Sequence, residues 1–381
     1  MKASGLDSIA AFDPCAESPA VRRYLDERIG SSAPVLTAIA EADEMYRYNV
    51  VSLKGSRPCA AILYYAKGRQ IFEAIRAVAR WRFGSLGGVG SMLDFASGHG
   101  RVTRFLVGEV DPKRICACEI HPDAIEFQRE YFGVGGLLSS MDPGKFDAPG
   151  RFPLVAASSF FSHVPRPAFE AWIARLLECV TADGVVIFSV LSTELLPADA
   201  PNISEGFVFF PASETDRLDK TAYGTAYVDE RFVREAVARG AAARRWSVRR
   251  FPRGLCGLQD LYVVADLEEP DTADFELPNF PWGDADVYEL KSDGCLAVAG
   301  WLSHVSEPLS AGSVEFSRDG TSMASAIPER IAPAQFRWRF EADSRDIGVD
   351  DVLMVSAVIE GGLENIVALG TLRTHPPMRV P

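Results

Sequence analysis

The sequence predicts an α/β domain built on a doubly wound, mostly parallel β-sheet, followed by a smaller all-β domain. Three observations lead to this prediction. Residues 1–83 carry helical rather than strand-like patterning. Between residues 84 and 266, short apolar runs alternate with segments of helical periodicity. Beyond residue 294, apolar runs of strand length follow one another without helical segments between them.

Length, charge and cysteine content limit the classes of protein to consider. A chain of 381 residues exceeds the usual size of one hydrophobic core and predicts two domains, or one domain with substantial additions. The formal charge of −13, without a long run of Lys or Arg, argues against a nucleic-acid partner. The 7 cysteines include no C-x-x-C pair and no nearby histidine cluster, so neither a disulfide framework nor a metal site is expected.

The sequence also predicts a cytoplasmic protein without a membrane partner. No segment is apolar over enough residues to span a bilayer. The amino terminus has no basic stretch followed by a continuous apolar run, which is the pattern of a secretory leader.

The helical extension shows its period most clearly where Ile71, Ile75 and Val78 share one helix face. In the α/β domain, apolar runs predict strands at residues 92–95, 115–120, 137–139, 154–158 and 185–190. Helical spacing predicts crossover helices at residues 102–107, 123–131 and 168–180. Because a crossover helix returns the chain to the same edge of a sheet, these strands are expected to be parallel.

A lid and an antiparallel hairpin are predicted after the fifth strand. Residues 191–227 are rich in Pro, Ser and aromatic residues and show no sustained period, which is typical of a long loop over a binding site. A helix is predicted at residues 229–239. The strand-like runs at residues 246–251 and 258–265 are joined by a short loop, so they must pair antiparallel.

An acidic linker and an all-β domain are predicted after residue 266. Residues 267–293 are acidic and contain prolines, which is the composition of a solvated connector. The pairs Asp319-Gly320 and Gly361-Gly362 supply the residues that two-residue hairpin turns require. We therefore predict a β-sandwich-like domain at residues 294–375, with strands at residues 296–302, 314–317, 322–327, 336–340, 352–359 and 366–372.

The segment most informative about function joins the first predicted strand to the next helix. The strand ends in Asp94, and Gly98 and Gly100 follow before the helix begins. Because glycine has no side chain, the backbone can turn tightly there and approach a ligand at the end of the strand. Glu119 ends the second strand, where a carboxylate can accept hydrogen bonds from both hydroxyls of an adenosine ribose.

Residues 94–100, with the sequence DFASGHG, resemble the first motif of the class I methyltransferases, acid-x-Gly-x-Gly-x-Gly. Ala96 stands in place of the first glycine. Residues 64–68 (YYAKG) and 159–164 (SFFSHV) are similar to elements of one bacterial branch of that family, and residues 138–141 and 152–155 stand where the family has its third and fourth strands. The resemblance covers about residues 60–265. It implies a Rossmann-like fold and S-adenosylmethionine as the cofactor.

The resemblance also implies which residues form the site. The implied cofactor-binding residues are Tyr64, Gly68, Asp94, Ala96, Gly98, Gly100, Glu119, Ile120, Ser140, Met141 and Ser159. His163 follows the fourth strand and is the candidate general base, while a structural role at the entry of the next helix is the competing interpretation. Glu214 and Tyr223, in the lid segment, are the candidate acceptor contacts, although solvation at the surface explains Glu214 equally well.

Two further expectations concern charged residues near the glycine loop. Arg101 and Arg104, in the first helical turns after it, could meet the carboxylate of the cofactor, but such residues more often form surface ion pairs, and this is the role expected here. Glu119 is expected to contribute little to folding, because a carboxylate at the rim of a sheet lies away from the core.

A nicotinamide dinucleotide is the competing cofactor, because dehydrogenases use the same glycine turn and the same ribose-binding acid. The dinucleotide fingerprint requires Gly or Ala three residues after the second glycine, and that position is Thr103 here. A terminal antiparallel hairpin also resembles the methyltransferase sheet rather than a continuing parallel one. Both features favour S-adenosylmethionine.

We expect an enzyme that methylates a small molecule or a glycan, with oxygen as the expected acceptor atom and with the helical extension and the lid forming the acceptor pocket. The alternative is a cofactor- or carbohydrate-binding module that keeps the fold without turnover. Trp282, Trp301 and Trp338 of the all-β domain can stack on sugar rings, although core packing is the more common role of tryptophan in a small sandwich. The sequence makes no prediction of the oligomeric state.

Overall fold

The computed structural model describes residues 10–29, 35–197, 200, 203, 205–212, 217–240, 246–265, 275–278, 280–292, 294–303, 312–358, 364–374 and 378–379. Within this part of the chain, an α/β unit stands between amino-terminal helices and carboxy-terminal antiparallel sheets. The order of these regions is the one that the sequence predicts.

The amino-terminal region is mainly helical, as predicted. Its strands are β1 (Ala11–Phe12) and β2 (Ile39–Ala40), and its helices are α1 (Pro14–Glu17), α2 (Pro19–Tyr24), α3 (Glu44–Ser52) and α4 (Arg57–Phe83), with a π-helical turn at Leu25–Ile29. Helix α4 has 27 residues, and its predicted apolar face at Ile71, Ile75 and Val78 is buried. Among the described residues, no helix combines the length and the apolar character that crossing a membrane requires.

One mixed sheet organises the α/β unit. Its strands are β3 (Met92–Phe95), β4 (Ile115–Glu119), β5 (Gly135–Leu138), β6 (Phe152–Ala157), β7 (Val180–Ser192), β8 (Phe207–Phe210), β9 (Thr225–Val228), β10 (Ser247–Leu255) and β11 (Gln259–Ala265). The main path has the order β5-β4-β3-β6-β7-β11-β10. Strands β3 to β7 pair in parallel, and β11 is antiparallel to both β7 and β10. The predicted doubly wound sheet with a terminal antiparallel hairpin is confirmed.

Helices cover both faces of this sheet and leave a crevice at one edge. They are α5 (Thr103–Leu106), α6 (Pro122–Phe132), α7 (Arg166–Glu178) and α8 (Glu230–Gly240). Met92 packs toward the side of α4, α5 and α6, whereas its neighbour Leu93 packs toward α7 and α8. The chain runs outward from β3 to β5 and then returns to β6 on the other side of β3. Connections therefore diverge above β3 and β6, where open α/β sheets bind their ligands.

The segment at residues 191–227, predicted as an irregular lid, contains a β-hairpin that the sequence pattern does not reveal. Strand β9 pairs in parallel with the end of β7, and β8 pairs antiparallel with β9. Two backbone hydrogen bonds fasten the hairpin to the loop after β6, from Gly224 to His163 (2.7 Å) and from Ala226 to Ser162 (2.7 Å). This segment, residues 191–227, is called the insertion below, and it is attached at the edge of the sheet where the crevice lies.

The carboxy-terminal region consists of two antiparallel sheets that share an apolar core. The strands are β12 (Trp282–Leu290), β13 (Cys295–Ser303), β14 (Val314–Arg318), β15 (Thr321–Ala326), β16 (Glu329–Ala332), β17 (Gln335–Asp343), β18 (Leu353–Val358), β19 (Glu364–Gly370) and β20 (Met378–Arg379). One sheet has the order β12-β13-β17-β16 and the other β15-β14-β18-β19-β20. Trp338 lies in the shared core. The predicted turn at Asp319-Gly320 joins β14 and β15, whereas Gly361-Gly362 lies outside the described residues.

Strand β12 corrects the prediction of a solvated linker over residues 267–293. It pairs with β13 along its whole length, and a bulge between Ala285 and Val287 interrupts the alternation of inward and outward side chains. Asp286 is exposed and forms an ion pair with Arg337 of β17 (2.6 Å). An irregular edge strand with acidic residues on its exposed side has the same composition as a solvated connector. Only its pairing with β13 shows that this segment is a strand.

The carboxy-terminal sheets also pack against the amino-terminal helices. Met354 of β18 and Ile366 of β19 belong to the same apolar core as Tyr24 of α2 and Phe72 of α4. The division of the chain into domains at residues 84–266 and 294–375 stays a prediction, and this shared core means that the sheets support the helical region.

A buried hydrogen-bonded pair completes that contact. Gln70 of α4 donates from Nε2 to Asn365 Oδ1 (2.8 Å) and to the carbonyl oxygen of Glu364 (3.1 Å). Asn365 Nδ2 in turn donates to the carbonyl oxygen of Pro281 (2.7 Å). Both side chains are less than 5% exposed, at 3% for Gln70 and 4% for Asn365. Buried polar groups of this kind stabilise only when they are paired.

Asn365→Ala should lower the free energy of unfolding of the whole chain by about 2 kcal/mol, because it removes one of the two acceptors of Gln70 Nε2 and the side-chain donor to the Pro281 carbonyl oxygen. Urea unfolding measures this change. The control is Asp350→Ala, which breaks an exposed ion pair with Arg373 and should cost less than about 1 kcal/mol. Equal costs for the two variants would contradict a structural role for the Gln70–Asn365 pair.

Candidate functional site

A cavity of about 300 Å³ lies at the carboxyl ends of β3, β4 and β6. Its lining residues are Ile71 of α4 and residues from the segments 43–48, 94–102, 119–124, 139–141, 158–172 and 218–223. It therefore combines the glycine loop, the ends of the parallel strands, the start of α3 and the insertion. This volume and this position at the switch point are typical of a small-molecule site.

The structure places most of the predicted site residues on this cavity. Those that line it are Asp94, Ala96, Gly98, Glu119, Ile120, Ser140, Met141, Ser159, His163 and Tyr223. Glu214 lies outside the described residues. The contacts that these residues make with a ligand stay predictions.

The glycine loop turns by using the left-handed backbone region three times. Ala96 has a φ of 55°, Gly98 of 56° and Gly100 of 80°. The left-handed conformation costs a residue with a Cβ atom roughly 1–2 kcal/mol, which explains why glycine is the usual residue at the position of Ala96. A Cβ atom added to Gly98 would meet no atom within 4 Å, so this residue faces open space.

Glu119 ties the glycine loop to the end of β4. Its Oε2 atom accepts the backbone N–H of Gly98 (2.9 Å), and its Oε1 atom accepts those of Ile120 (2.8 Å) and His121 (3.4 Å). The side chain is 7% exposed. The expectation that Glu119 contributes little to folding is therefore wrong, because its removal would leave backbone donors unpaired at the loop.

Asp94 closes β3 beneath the loop and is 3% exposed. Its Oδ2 atom lies 3.0 Å from Thr103 Oγ1. Burial raises the pKa of Asp94 to about 7, the Thr103 hydroxyl opposes this shift, and the negative charge of Glu119 adds to it. The buried Thr103 also occupies the position where a dinucleotide-binding loop has a small residue.

His163 is held in one tautomer. Its Nδ1 atom lies 2.8 Å from the carbonyl oxygen of Gly224, and its ring stacks on Tyr223 with 4.8 Å between the ring centroids. A carbonyl oxygen can only accept a hydrogen bond, so Nδ1 carries the proton and the neutral ring has its basic lone pair on Nε2. The structural role differs from the predicted one, because no side chain of the described residues caps the start of α7 and the ring instead contacts the Gly224 carbonyl of the insertion. The role of His163 as a general base stays a prediction.

An ion pair also attaches the insertion to helix α6 beside the cavity. Arg217 donates to both carboxylate oxygens of Asp123, in the first turn of α6, at 2.8 and 3.2 Å. Burial alone would raise the pKa of Asp123, but the guanidinium outweighs it and holds the pKa below its ordinary value. Leu218 and Ala222, which follow Arg217, reach the cavity.

Three predicted cofactor residues do not line the cavity. Tyr64 is fully buried, and its hydroxyl donates to Asp43 Oδ2 (2.6 Å), so it supports a lining residue. Gly68 allows close packing of α4, since a Cβ atom there would lie 2.4 Å from the carbonyl oxygen of Arg101. Gly100 faces Phe132 rather than the cavity. A motif marks residues that shape a site as well as those that touch the ligand, and cofactor contacts of these three residues stay predictions.

The arginines after the glycine loop do not form the predicted surface pairs. Arg104 is buried and donates to the carbonyl oxygens of Leu36 (2.6 Å) and Ala38 (3.0 Å). Arg101 lines the cavity, and no carboxylate of the described residues forms an ion pair with it. The position of Arg101 directly after Gly100 is the feature of the sequence that indicates a place on the cavity. The cavity therefore contains a cation that can bind a carboxylate of a ligand.

Helix α3 of the helical extension supplies a wall of the cavity, and the sequence analysis named none of its lining residues. Asp43, Glu44, Met45 and Tyr48 line it from the side opposite the sheet. Asp43 also begins the helix, because its Oδ1 atom accepts the backbone N–H of Tyr46 (3.0 Å). No sequence signal placed this helix, because the glycine loop is about 50 residues further along the chain.

Comparison with solved structures finds similar folds at low identity. DesVI of Streptomyces venezuelae is 15% identical, with a TM-score of 0.41 and coverage of 60% of this chain and 100% of DesVI. DhpI in complex with S-adenosylhomocysteine is 18% identical, with a TM-score of 0.38 and coverage of 59% and 97%. The glycopeptide N-methyltransferase MtfA, also complexed with S-adenosylhomocysteine, is 18% identical, with a TM-score of 0.33 and coverage of 47% and 82%. No family profile and no curated protein sequence matches the chain.

Gly100→Ala should destabilise the fold by about 2 to 4 kcal/mol, because a Cβ atom would lie 2.3 Å from Phe132 and the φ of 80° disfavours any side chain. Gly98→Ala is the matched control in the same loop and should cost only about 1 to 2 kcal/mol, since it meets no neighbour. Urea unfolding of both variants measures the difference. A larger loss for Gly98→Ala would contradict the placement of the two glycines.

Proposed function

We propose that the protein is an S-adenosylmethionine-dependent methyltransferase that acts on a small hydroxyl-bearing molecule or glycan. The observation that carries this proposal is the position of Glu119. Its carboxylate lies at the end of the second strand, beside the glycine loop and on the cavity. Its Oε2 atom accepts one hydrogen bond and keeps a lone pair for a ribose hydroxyl.

The residues present fit an adenosyl cofactor. Gly98 leaves room for a ligand at the loop, Glu119 can hold the ribose, and Arg101 offers a cation to a carboxylate. Ile120 and Met141 supply apolar surface on the same side of the cavity as Glu119. When bound, S-adenosylmethionine supplies an electrophilic methyl group on a sulfonium.

The chain then has two tasks, which are to align the acceptor and to remove its proton. His163 presents a neutral Nε2 atom at the cavity, and this atom can take a proton from a hydroxyl as methyl transfer proceeds. Tyr223 stacks on the ring and keeps its orientation. Helix α3 and the insertion contribute walls of the cavity, and these walls limit the positions that an acceptor can take beside the cofactor.

A carbohydrate-binding module without turnover is the second candidate, and the fate of the tryptophans disfavours it. Trp338 is 3% exposed in the core between the sheets and cannot stack on a sugar. The ring of Trp282 is covered by the guanidinium of Arg253, 4.1 Å from the ring centroid. Trp282 and Trp301 are both half-buried, so burial in the core excludes only Trp338 from stacking on a sugar.

Glu119→Gln should weaken binding of S-adenosylhomocysteine by at least tenfold, because hydrogen bonds to a charged acceptor are worth about 1.5 to 3 kcal/mol each. Gln keeps one acceptor oxygen for the backbone amides, so the loop loses less than in Glu119→Ala. Glu130→Gln, at an exposed position of α6, is the control. Calorimetric titration measures both. Binding of NAD but not of S-adenosylhomocysteine by the unmutated protein would overturn the function proposed.

His163→Asn should slow methyl transfer by about 100- to 10,000-fold and leave the affinity for S-adenosylhomocysteine within about twofold. Asn keeps an N–H donor near the place of Nδ1 for the Gly224 carbonyl but has no basic nitrogen. His163→Ala removes both groups, so a comparison separates the base from the fastening of the insertion. Undiminished turnover of His163→Asn at saturating substrate would assign His163 a structural role alone.

A further inference from the structure

A chain of buried hydrogen bonds supports the glycine loop from below. Gln128 of α6 is fully buried, and its Nε2 atom donates to the carbonyl oxygen of Gly98 (2.8 Å) and to Ser97 Oγ (2.8 Å). Its Oε1 atom lies 2.7 Å from Thr103 Oγ1. Thr103 Oγ1 lies 3.0 Å from Asp94 Oδ2. These hydrogen bonds therefore connect the glycine loop at the cavity wall to the end of β3.

The number of hydrogen atoms that this series of hydrogen bonds requires determines whether the Asp94 carboxyl is protonated. A carbonyl oxygen can only accept, so Gly98 orients the amide of Gln128 with Nε2 toward the loop and Oε1 toward Thr103. The contacts from Gln128 to Thr103 and from Thr103 to Asp94 are both between oxygen atoms, and each needs a proton. The Thr103 hydroxyl supplies one. The other must belong to the Asp94 carboxyl, which donates to Thr103 while Thr103 donates to Gln128.

The surroundings of Asp94 favour this neutral form. The carboxyl is buried, which raises its pKa, and no Lys or Arg of the described residues forms an ion pair with it. The groups that face it are Glu119 and the thiols of Cys116 and Cys118 on β4, Thr103 on α5, and Ala156 on β6, with Gln128 on α6 behind Thr103. None of them supplies a positive charge that would hold a carboxylate.

We propose that Gln128 is a positioning residue for the glycine loop and that it holds the loop in its cofactor-binding conformation only while Asp94 keeps its proton. The inference rests on the function proposed above. When Asp94 ionises, Thr103 must turn its hydrogen toward the carboxylate, and Gln128 Oε1 loses its donor. Rotation of the amide would restore a donor to Thr103, but it breaks the bond to Gly98. Cofactor affinity therefore falls as the pH rises.

Calorimetric titration with S-adenosylhomocysteine between about pH 6 and pH 9 tests the dependence on Asp94. Affinity of the unmutated protein should fall by about tenfold over this range, the equivalent of one buried hydrogen bond. Asp94→Asn should flatten the profile, because its amide always donates to Thr103. Thr103→Val should be weak and flat, because it interrupts the chain. A slope that persists unchanged in Asp94→Asn, or no slope in the unmutated protein, would overturn the proposal.

Gln128→Met tests positioning against a purely structural role. The variant should raise KM for S-adenosylmethionine by about tenfold with kcat within about twofold, because only the loop is released. Amide hydrogen exchange of residues 96–100 should become faster, whereas exchange in the core strand at residues 185–190 should not change. Exchange that accelerates equally in both segments, or an unchanged KM, would rule out a specific role for Gln128.

Unfolding measurements separate failure of this proposal from failure of the proposed function. Absence of S-adenosylhomocysteine binding at every pH would refute the function, and the state of Asp94 would still be measurable. An Asp whose folded pKa is about 7 and whose unfolded pKa is about 4 binds an extra proton in the folded state between these values. Its contribution to stability is complete below about pH 4 and is lost as the pH rises to about 7.

The free energy of unfolding of the unmutated protein should therefore fall relative to that of Asp94→Asn between about pH 4 and pH 7. Above that range the two plots of unfolding free energy against pH should be parallel. Other titrating groups, such as the buried Glu364, are present in both proteins and cancel in the difference. Parallel curves over the whole range would show that Asp94 is not protonated in the folded chain and would overturn the inference.

Discussion

The hydrogen bond from the backbone N–H of Gly98 to the carboxylate of Glu119 is the contact on which the site depends. Parallel strands bring their carboxyl ends to one edge of a sheet, but the loop that follows β3 must still be bent toward β4. Glu119 holds the loop by its N–H group, and Gln128 holds it by its carbonyl group. The backbone N–H and carbonyl groups of Gly98 are thus both hydrogen-bonded, one to a side chain of β4 and the other to a side chain of α6. A loop held in this way presents a preorganised backbone to its ligand, at the cost of strain at Ala96.

Segments outside the α/β unit complete the cavity. Arg104 clamps the chain before α3 by donating to two backbone carbonyls, and Tyr64 donates to Asp43 at the start of that helix. On the opposite side, Arg217 and His163 fasten the insertion. Buried donors bound to backbone carbonyls are costly to break, because the carbonyl oxygen would be left without a partner. The helical extension is therefore a wall of the site rather than an appendage to it.

The carboxy-terminal sheets act on the site through helix α4. Gln70 of this helix binds the first two residues of β19, and the next residue along α4, Ile71, lines the cavity. Packing of the sheets against α4 thus restricts the helix that forms part of the binding site. This arrangement gives a structural role to the apolar core that the sheets share with the amino-terminal helices.

The sequence by itself determined the sheet, because the period of its apolar runs and the short loop between residues 251 and 259 leave few alternatives to parallel strands with a terminal hairpin. It also determined the glycine loop and Glu119, since both depend on residue type at a strand end. Tertiary structure alone decided that Tyr64 and Gly100 support the site without lining it, that Arg101 faces the cavity, and that residues 282–290 form a strand. Each of these outcomes depends on which distant segment a residue meets, and local patterns of residues carry no record of that partner.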